Sequence, residues 1–340
     1  MIKQIFFVLS IALLLAMPAQ GRIANPRAHG PLKTRVQNPL YLQFLALPIE
    51  SAQPLGKTQM QTEVQTTFSN VFEYRTTGNT QLTFDMEIWR TALTYEYGIT
   101  DNLDLKIELP FLSTMGGFLD EFIQSYHTTF GFPNGGRELE PNGQYRFLLI
   151  NNGVTLFDAP SSPFGLSDMT LRAKFLLPES WHHLPIKIAV APYIKLPTGK
   201  ITNGFSSGYT DLGAALLVEA DYRRFHFVTQ AGMVIVSGHE KIDSILRNAF
   251  FQFGQSVEFQ ITNGLSAIAQ LTGNTSAFTN VSASELTNIA LDLNLGVAGS
   301  LPLNQRVLNE IYYQFSFSED AMGHGPSVDF SLLFMAGVRY

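Results

Sequence analysis

The residues in this chain that could do acid–base or metal chemistry are seven histidines: His29, His127, His182, His183, His226, His239 and His324. His182 and His183 are adjacent, and nearby Glu179 could complete a metal-ligating set. Adjacent side chains point in different directions, however, which works against chelation by both. His226, between Phe225 and Phe227, and His127, beside Tyr126, could each act as the base of a lipid hydrolase if a serine lay within hydrogen-bond reach. There is no His-Glu-x-x-His, and Pro197-Thr198-Gly199-Lys200 lacks the glycine spacing and the Ser/Thr of a phosphate loop. The chain has no cysteine, which removes thiol nucleophiles, disulfides and thiolate-bound zinc. The reading therefore assigns no catalytic, cofactor-binding or metal residue. A membrane-embedded lipid hydrolase is kept only as the lesser alternative.

The chemistry that remains is that of charge on a surface, and the elements that carry it come next. Charged residues make up 15% of the 340, against roughly 25% in an ordinary soluble domain. Phe and Tyr are abundant, at 27 and 12. A net charge of −6 without a basic block argues against nucleic acid as a partner. Lys3, an apolar run over 5–17 and the small residues of Ala19-Gln20-Gly21 form a secretory signal peptide over 1–21. The run is too short for a spanning helix, which needs about 20 residues.

The rest of the chain alternates with period two. Leu291, Leu293, Leu295 and Val297 alternate with Asp292, Asn294, Gly296 and Ala298; Leu103, Leu105, Ile107 and Leu109 alternate with Asp104, Lys106 and Glu108. Strands are expected over 59–73, 82–97, 103–112, 167–177, 185–196, 210–221, 226–237, 249–261, 265–273, 287–300, 306–317 and 327–340. Every second connection is short and the others are longer, with 113–166 very long. Short turns on one rim and long loops on the other mark an outer-membrane barrel, and an even strand count puts both ends on the periplasmic rim. Val328, Phe330, Leu332, Phe334, Ala336, Val338 and Tyr340 share one face of the last strand. Such an apolar edge would invite aggregation in a soluble protein, and closure in lipid removes it. In the second strand the apolar parity switches between Ile88 and Leu93, which predicts a bulge or a shorter strand. Trp89, Tyr95 and Tyr97 are read as parts of interfacial aromatic girdles.

If the apolar parity faces lipid, the other parity lines the lumen. This places Arg172, Lys174, Lys187 and Lys195 on one arc and Asp211, Glu219, Asp221, Glu258, Asp292 and Glu310 on another, with Asp168 and Arg306 also inside. Either these charges set a transverse field across an open pore or they pair across a filled interior. Twelve strands is intermediate between a filled 8-stranded barrel and an open 16-stranded porin. The apolar stretch 40–47, between prolines, is either a periplasmic lead-in or a lumenal plug. In the long loop, Phe118, Leu119, Phe122, Ile123, Tyr126 and Phe130 have helical spacing, stopped by Pro133-Asn134-Gly135-Gly136. Phe118, Phe122, Tyr126 and Phe130 are the candidate gating helix, as a cap or constriction rather than a helix on the outer leaflet.

Gly116-Gly117-Phe118-Leu119-Asp120, continuing through Phe122-Ile123, Tyr126-His127 and residues 130–137, resembles the signature of a bacterial family, domain of unknown function 3187. Arg35-Val36-Gln37-Asn38-Pro39-Leu40, Tyr97-Gly98-Ile99-Thr100-Asp101 and Gly165-Leu166-Ser167-Asp168 are also similar to it. The resemblance implies an outer-membrane barrel of unknown activity and supplies no catalytic residues.

The sequence thus leads to an all-β fold, an antiparallel transmembrane β-barrel of about twelve strands with a helical insertion in one long extracellular loop. The expected organisation is a signal peptide (1–21), an N-terminal lead-in or lumenal plug (22–56) and a barrel (57–340) in the outer membrane of a Gram-negative bacterium. The expected function is passive transport of a small or hydrophobic solute, without a cofactor. A non-conducting barrel that binds or supports through its loops is the alternative. Expected partners are outer-membrane lipid, the small solute, and the barrel assembly machinery through the strand ending at Tyr340.

Overall fold

The computed structural model describes residues 28–340 apart from 132, 133, 183, 304–307, 323, 324, 327 and 329. The signal-peptide span, His183, Arg306, His324 and the helix stop at Pro133 lie outside the described residues.

Fifteen strands follow in order: β1 (Met60–Thr77), β2 (Thr80–Thr100), β3 (Leu103–Met115), β4 (Arg146–Asn151), β5 (Val154–Asp158), β6 (Ser162–Leu166), β7 (Met169–Leu176), β8 (Lys187–Leu196), β9 (Asp211–Tyr222), β10 (Phe225–Val236), β11 (Ala249–Thr262), β12 (Leu265–Asn274), β13 (Ala290–Pro302), β14 (Glu310–Asp320) and β15 (Phe330–Arg339). Twelve of them, β1–β3 and β7–β15, form a closed antiparallel barrel. Closure is made by β15 on β1, with Gln61 opposite Arg339 through to Asn70 opposite Phe330. Closure leaves no free sheet edge in the wall, as a lipid environment demands. The described residues contain no helix long and apolar enough to cross a membrane. Outward-facing Val64, Leu93, Leu105, Leu212, Leu216, Leu295 and Phe334 are 43–54% exposed, and they form the lipid-facing band.

Two expectations change at the outer rim. The connection expected at 74–81 is not a loop, because β1 and β2 run on together and turn only at Gly78-Asn79, in unbroken register from Met60–Tyr97 to Thr77–Thr80. Nor does β2 shorten or bulge against β1 where its apolar parity switches. Trp89, Leu93 and Tyr95 face out, whereas Phe84, Met86 and Ile88 face in and are at most 1% exposed. The parity switches because the inner face of β2 meets charged side chains low in the barrel, at Arg90 and Glu96, and an apolar core high in it. That core is built by the loops. β4 and β5 continue the sheet from the upper end of β2, and Phe147 and Phe157 join Phe84, Phe205, Ile242, Ile245, Phe250, Phe278 and Leu286 in one buried cluster. The cluster forms a dome over the long-loop mouth.

Residues 28–57 run inside the barrel as an irregular hairpin. The segment enters near the short-turn rim, where His29 and Gly30 amides donate to Glu258 at 2.9 and 3.1 Å. It rises to the dome, where Leu40, Tyr41, Leu42, Phe44 and Leu45 enter the apolar cluster. It then descends past Asp211, which accepts from the Leu45 amide at 3.0 Å, and Glu219, which accepts from the Ala52 amide at 2.8 Å. Finally Leu55 donates to Asp104 at 2.8 Å, next to the start of β1. Pro31, Pro39, Pro48 and Pro54 prevent the hairpin from becoming a strand, because each removes a ladder donor. Its backbone groups must then be met by side chains.

Candidate functional site

The wall meets that demand with inward-facing glutamines, carboxylates and glycines. Gln314 Nε2 donates to Pro31 O (3.0 Å), Gln270 Nε2 to Leu32 O (2.9 Å) and Gln65 Nε2 to Lys33 O (2.9 Å). Gln252 Oε1 accepts from the Leu47 amide at 2.6 Å, and Gln230 donates to the Leu47 carbonyl. Four wall glycines leave sockets for the apolar side chains of the hairpin. A Cβ at Gly213 would lie 2.8 Å from Leu45 Cδ2, at Gly232 2.6 Å from Leu47 Cδ1, and at Gly296 2.9 Å from Leu32 Cδ2; at Gly254 it would run into Ile49. Real side chains do not approach so closely. At Gly213 the hairpin alone is met this closely, whereas at Gly232, Gly254 and Gly296 the backbone of a neighbouring strand lies as near, at 2.8, 2.8 and 2.5 Å.

The charged residues hold the same segment. Glu50, 1% exposed, receives Arg172 Nη2 at 2.7 Å, Lys106 Nζ and the Tyr193 hydroxyl at 3.3 Å, with Lys174 Nζ at 4.0 Å. Arg172 also binds Glu96 at 2.7 Å and Asp104, and Lys174 lies 3.5 Å from Asp104. Lys195 Nζ donates to Gln43 O at 2.7 Å and pairs with Asp168 at 2.8 Å and Asp211 at 3.2 Å. Lys187 pairs with Glu219 at 2.6 Å and Arg339 with Glu310 at 2.9 Å. Asp292 is buried on the inner parity of β13. Asp221, at the rim, is exposed on its outer side and bonds His226 Nδ1 at 2.6 Å.

Of the ten residues expected to line the lumen, the four bases stand on β7 and β8 and the six acids on β9, β11, β13 and β14, at positions that alternate with the lipid-facing residues. Arg172, Lys174 and Lys195 contact acids from the neighbouring strands and groups from the hairpin. The sequence reading missed Glu50, Glu96 and Lys106. The signal was present for Lys106, on the polar parity of β3 with Asp104 and Glu108, and for Glu96, beside the misread parity of β2. Glu50 had none, because its segment has no period.

Two cavities flank the charged network. One of about 30 Å³, the room of about one water, is lined by Lys33, Arg35, Arg90, Lys106, Arg172 and Tyr193, with Glu63 and Glu108 among others. The other, about 510 Å³, opens at the short-turn rim and is bordered by Glu50, Lys174, Lys187, Glu219, His226 and Arg339 among others.

Helix α1 (Asp120–Phe130) forms in the long loop as its spacing predicts. Its aromatic residues do not line the lumen. The helix buries Asp120, Ile123 and His127, and Asp120 is held by Arg137 at 2.9 Å and the Gly143 amide at 2.8 Å. Phe118, Phe122 and Phe130 are 73%, 54% and 66% exposed; Phe118 stacks on the outward-facing Phe68 at 5.9 Å, and Phe122 meets the edge of Phe330 at 6.2 Å. Tyr126 packs on Phe130 at 4.9 Å. The stripe lies outside the barrel because the interior is already filled by the hairpin and the dome.

Two patterns with catalytic overtones resolve differently. Gly204-Phe205-Ser206-Ser207-Gly208 has the Gly-x-Ser-x-Gly spacing, but a nucleophile elbow needs a strand–turn–helix that exposes its serine. Here the stretch follows a short 3-10 turn in a loop, Ser206 is fully buried, and Ser207 Oγ accepts from Lys195 at 2.6 Å. Glu219, Asp221 and His226 bring ligand atoms within 4.8 Å of one another, a spacing that a divalent cation could bridge. Lys187 already supplies positive charge to Glu219 in that group.

A family model matches residues 5–339. The chain belongs to the family described as Protein of unknown function (DUF3187). The DUF3187 fold is similar to that of an outer-membrane channel from Pseudomonas putida F1, with a TM-score of 0.55 and 12% identity, covering 87% of this chain and 100% of that one. Weaker likenesses are to a NanC porin (TM-score 0.44, 9% identity, 82% and 98% covered) and to the P. putida toluene transporter TodX (0.35, 8%, 89% and 92%), and nothing rests on them. None of the curated proteins matches the sequence. The DUF3187 chain is thus a closed twelve-stranded antiparallel β-barrel with the fold of that outer-membrane channel.

The dome carries a pH-sensitive residue. His239, in the loop after β10, is 1% exposed and its Nε2 is 2.9 Å from Gln43 Oε1 on the hairpin tip. Its Nδ1 accepts from the Lys241 amide at 3.0 Å, so the ring is seated as the neutral form. Burial, with Lys195 and Lys241 nearby, pushes its pKa down to about 3 from an ordinary 6.5. A state that exposes His239 binds a proton below pH ~6.5, whereas the seated state does so only near 3, so acid favours the exposed state across that window. Channel openings in planar bilayers are expected to increase as the long-loop side is taken from pH 7 to 4. His239→Gln should flatten that dependence, and an unchanged acid response in the variant would show that another group is responsible.

Proposed function

We propose that the barrel is a passive channel for a small solute and that the N-terminal hairpin is its plug, withdrawn or shifted during passage. The observation that carries this reading is the set of wall sockets. Gly213, Gly232, Gly254 and Gly296 let Leu45, Leu47, Ile49 and Leu32 of the hairpin pack directly on the wall, and the hairpin is held by side chains rather than by a strand ladder. The buried, well-partnered charges support a hydrated path once the segment leaves, because strand residues facing lipid-like surroundings would not be Arg, Lys, Asp and Glu. This favours transport over catalysis and over a barrel that acts only through its loops. The apolar face of β15, ending at Tyr340, fits recognition by the barrel assembly machinery.

Gly213→Val tests the reading without altering any charge, because the new Cβ meets Leu45 and Leu47 before it meets the wall. Overpacking of this kind costs about 1–3 kcal/mol, enough for an increase of about tenfold in the unseated population. Proteoliposomes carrying the variant should swell in a neutral sugar about tenfold faster than those carrying the native chain. Equal rates, with the variant correctly folded, would favour a closed barrel that works through its loops.

A sideways route is the second reading, for a hydrophobic solute. Pro192 lacks the N–H that β8 would give β7, and the ladder between them is interrupted from Arg172–Tyr193 to Phe175–Val190. A lipid-facing groove of about 770 Å³, lined by Tyr95, Tyr97, Leu105, Ile107, Ala173 and Pro192 among others, lies over this gap.

A further inference from the structure

We propose that the lumen contains a carboxylate-binding site, that Glu50 of the hairpin occupies it in the closed state, and that the transported solute is an organic acid whose carboxylate takes the place of Glu50. This rests on the channel reading and names its solute class. The receiving groups belong to the wall: Arg172 on β7, Lys106 on β3 and Tyr193 on β8 converge on the two oxygens of Glu50, with Lys174 behind them. Among the acids of this network Glu50 alone comes from the hairpin, whereas Glu63, Glu96, Asp104 and Glu108 stand on strands. When the hairpin leaves, its carboxylate goes with it and its receptors stay.

With the hairpin seated, the charge around the site is positive by one. Lys33, Arg35, Arg90, Lys106, Arg172 and Lys174 are six cations against five carboxylates, Glu50, Glu63, Glu96, Asp104 and Glu108. Lys33 and Arg35 leave with the hairpin as Glu50 does, and four wall cations, Arg90, Lys106, Arg172 and Lys174, then stand against four wall carboxylates, Glu63, Glu96, Asp104 and Glu108, with Arg172 and Lys106 having lost the partner that Glu50 supplied. Five of the six cations border the cavity of about 30 Å³. Arg35 Nε and Arg172 Nε are buried without a hydrogen-bond acceptor, although both residues line that cavity. Buried guanidinium N–H groups are normally paired, and an unpaired one is costly. An oxygen ligand there would satisfy that of Arg172, which stays with the wall. Glu50 also borders the 510 Å³ cavity toward the short-turn rim, which has room for the body of a small acid. A planar two-oxygen group fits receptors that now hold a carboxylate, and Arg in particular matches that geometry.

Gluconate and sorbitol share a carbon chain and differ in charge, and neither crosses a bilayer readily. Their uptake is measured in proteoliposomes of the full-length chain, with Glu50→Gln and with Glu50→Gln/Lys106→Met. In Glu50→Gln both solutes should enter faster than in the native chain, with gluconate favoured about tenfold, since a hydrogen bond to a charged group is worth about that much or more. The double variant should lose most of that preference. Faster sorbitol uptake with no advantage for gluconate would overturn the carboxylate site and leave the channel standing. No uptake of either solute by folded Glu50→Gln and Gly213→Val chains would overturn the channel, and this proposal with it. If Glu50→Gln does not assemble, Glu50→Asp, which draws the carboxylate back by one methylene, is read in the same two ways.

Discussion

Arg172→Met destabilises the barrel by about 3–5 kcal/mol, the cost of removing one partner from a buried ion network. Arg172 is 2% exposed and binds Glu50, Glu96 and Asp104, which are themselves 1%, 5% and 0% exposed. Without the guanidinium, three carboxylates from three separate elements face one another in a low-dielectric interior, with Lys106 and Lys174 as the remaining partners. The hairpin, β2 and β3 lose their common anchor. Glu50→Gln should cost less, because it keeps the shape of the side chain and an acceptor oxygen for Arg172, Lys106 and Tyr193. Urea unfolding in detergent, followed by the gel shift between folded and heated barrel, measures both. A loss within about 1 kcal/mol for Arg172→Met would mean that water reaches the network and that the lumen is less tightly filled than described.

Removal of residues 28–57 should convert an electrically silent barrel into one with steady openings. The wall does not depend on the hairpin for closure, since β1 and β15 pair along ten residues by themselves. The dome does depend on it: Tyr41 packs edge-on to Phe278 at 5.4 Å and Phe250 at 6.0 Å, and Phe44 meets Phe278 at 6.1 Å. Without those rings the loop residues lose the centre of their apolar cluster. The five inward glutamines and the wall charges would then be hydrated, as in an aqueous channel. Single-channel recording in planar bilayers reads the result, and continued silence would mean that the loops seal the mouth unaided.

The strands were legible because lipid on one side and a polar lumen on the other impose alternation on nearly every residue from Met60 to Arg339. All twelve expected barrel strands are present, within a few residues at each end. Alternation failed as a guide where the environment of the inner face changes, at Phe84, Met86 and Ile88, and a change of partner was read as a defect in the strand. The inward orientation of Arg172, Lys187, Asp211 and Glu219 follows from parity alone, but their partners do not, because pairing across the lumen depends on strands far apart in sequence. The hairpin was hardest to read. It has no period, and its contacts are side-chain bonds from many strands, among them Gln65 on β1, Asp104 on β3, Arg172 on β7, Lys195 on β8, Gln252 on β11 and Gln314 on β14. The helix over Asp120–Phe130 was clear from its spacing, yet spacing says nothing about which side of a wall an aromatic stripe will lie on.

The central claim is that the hairpin sits inside the resting barrel, and the absence of cysteine from the chain allows a direct measurement. Leu47 is 4% exposed inside the lumen, whereas Lys57 is exposed at the short-turn rim. Leu47→Cys and Lys57→Cys, each as the single thiol of the refolded chain, are reacted with a bulky hydrophilic maleimide in detergent micelles that leave both rims accessible. The account predicts rapid labelling at position 57 and labelling at position 47 slower by orders of magnitude, rising when Gly213→Val is added. Equal labelling of the two positions in the otherwise native chain would place the hairpin outside the barrel and contradict the account.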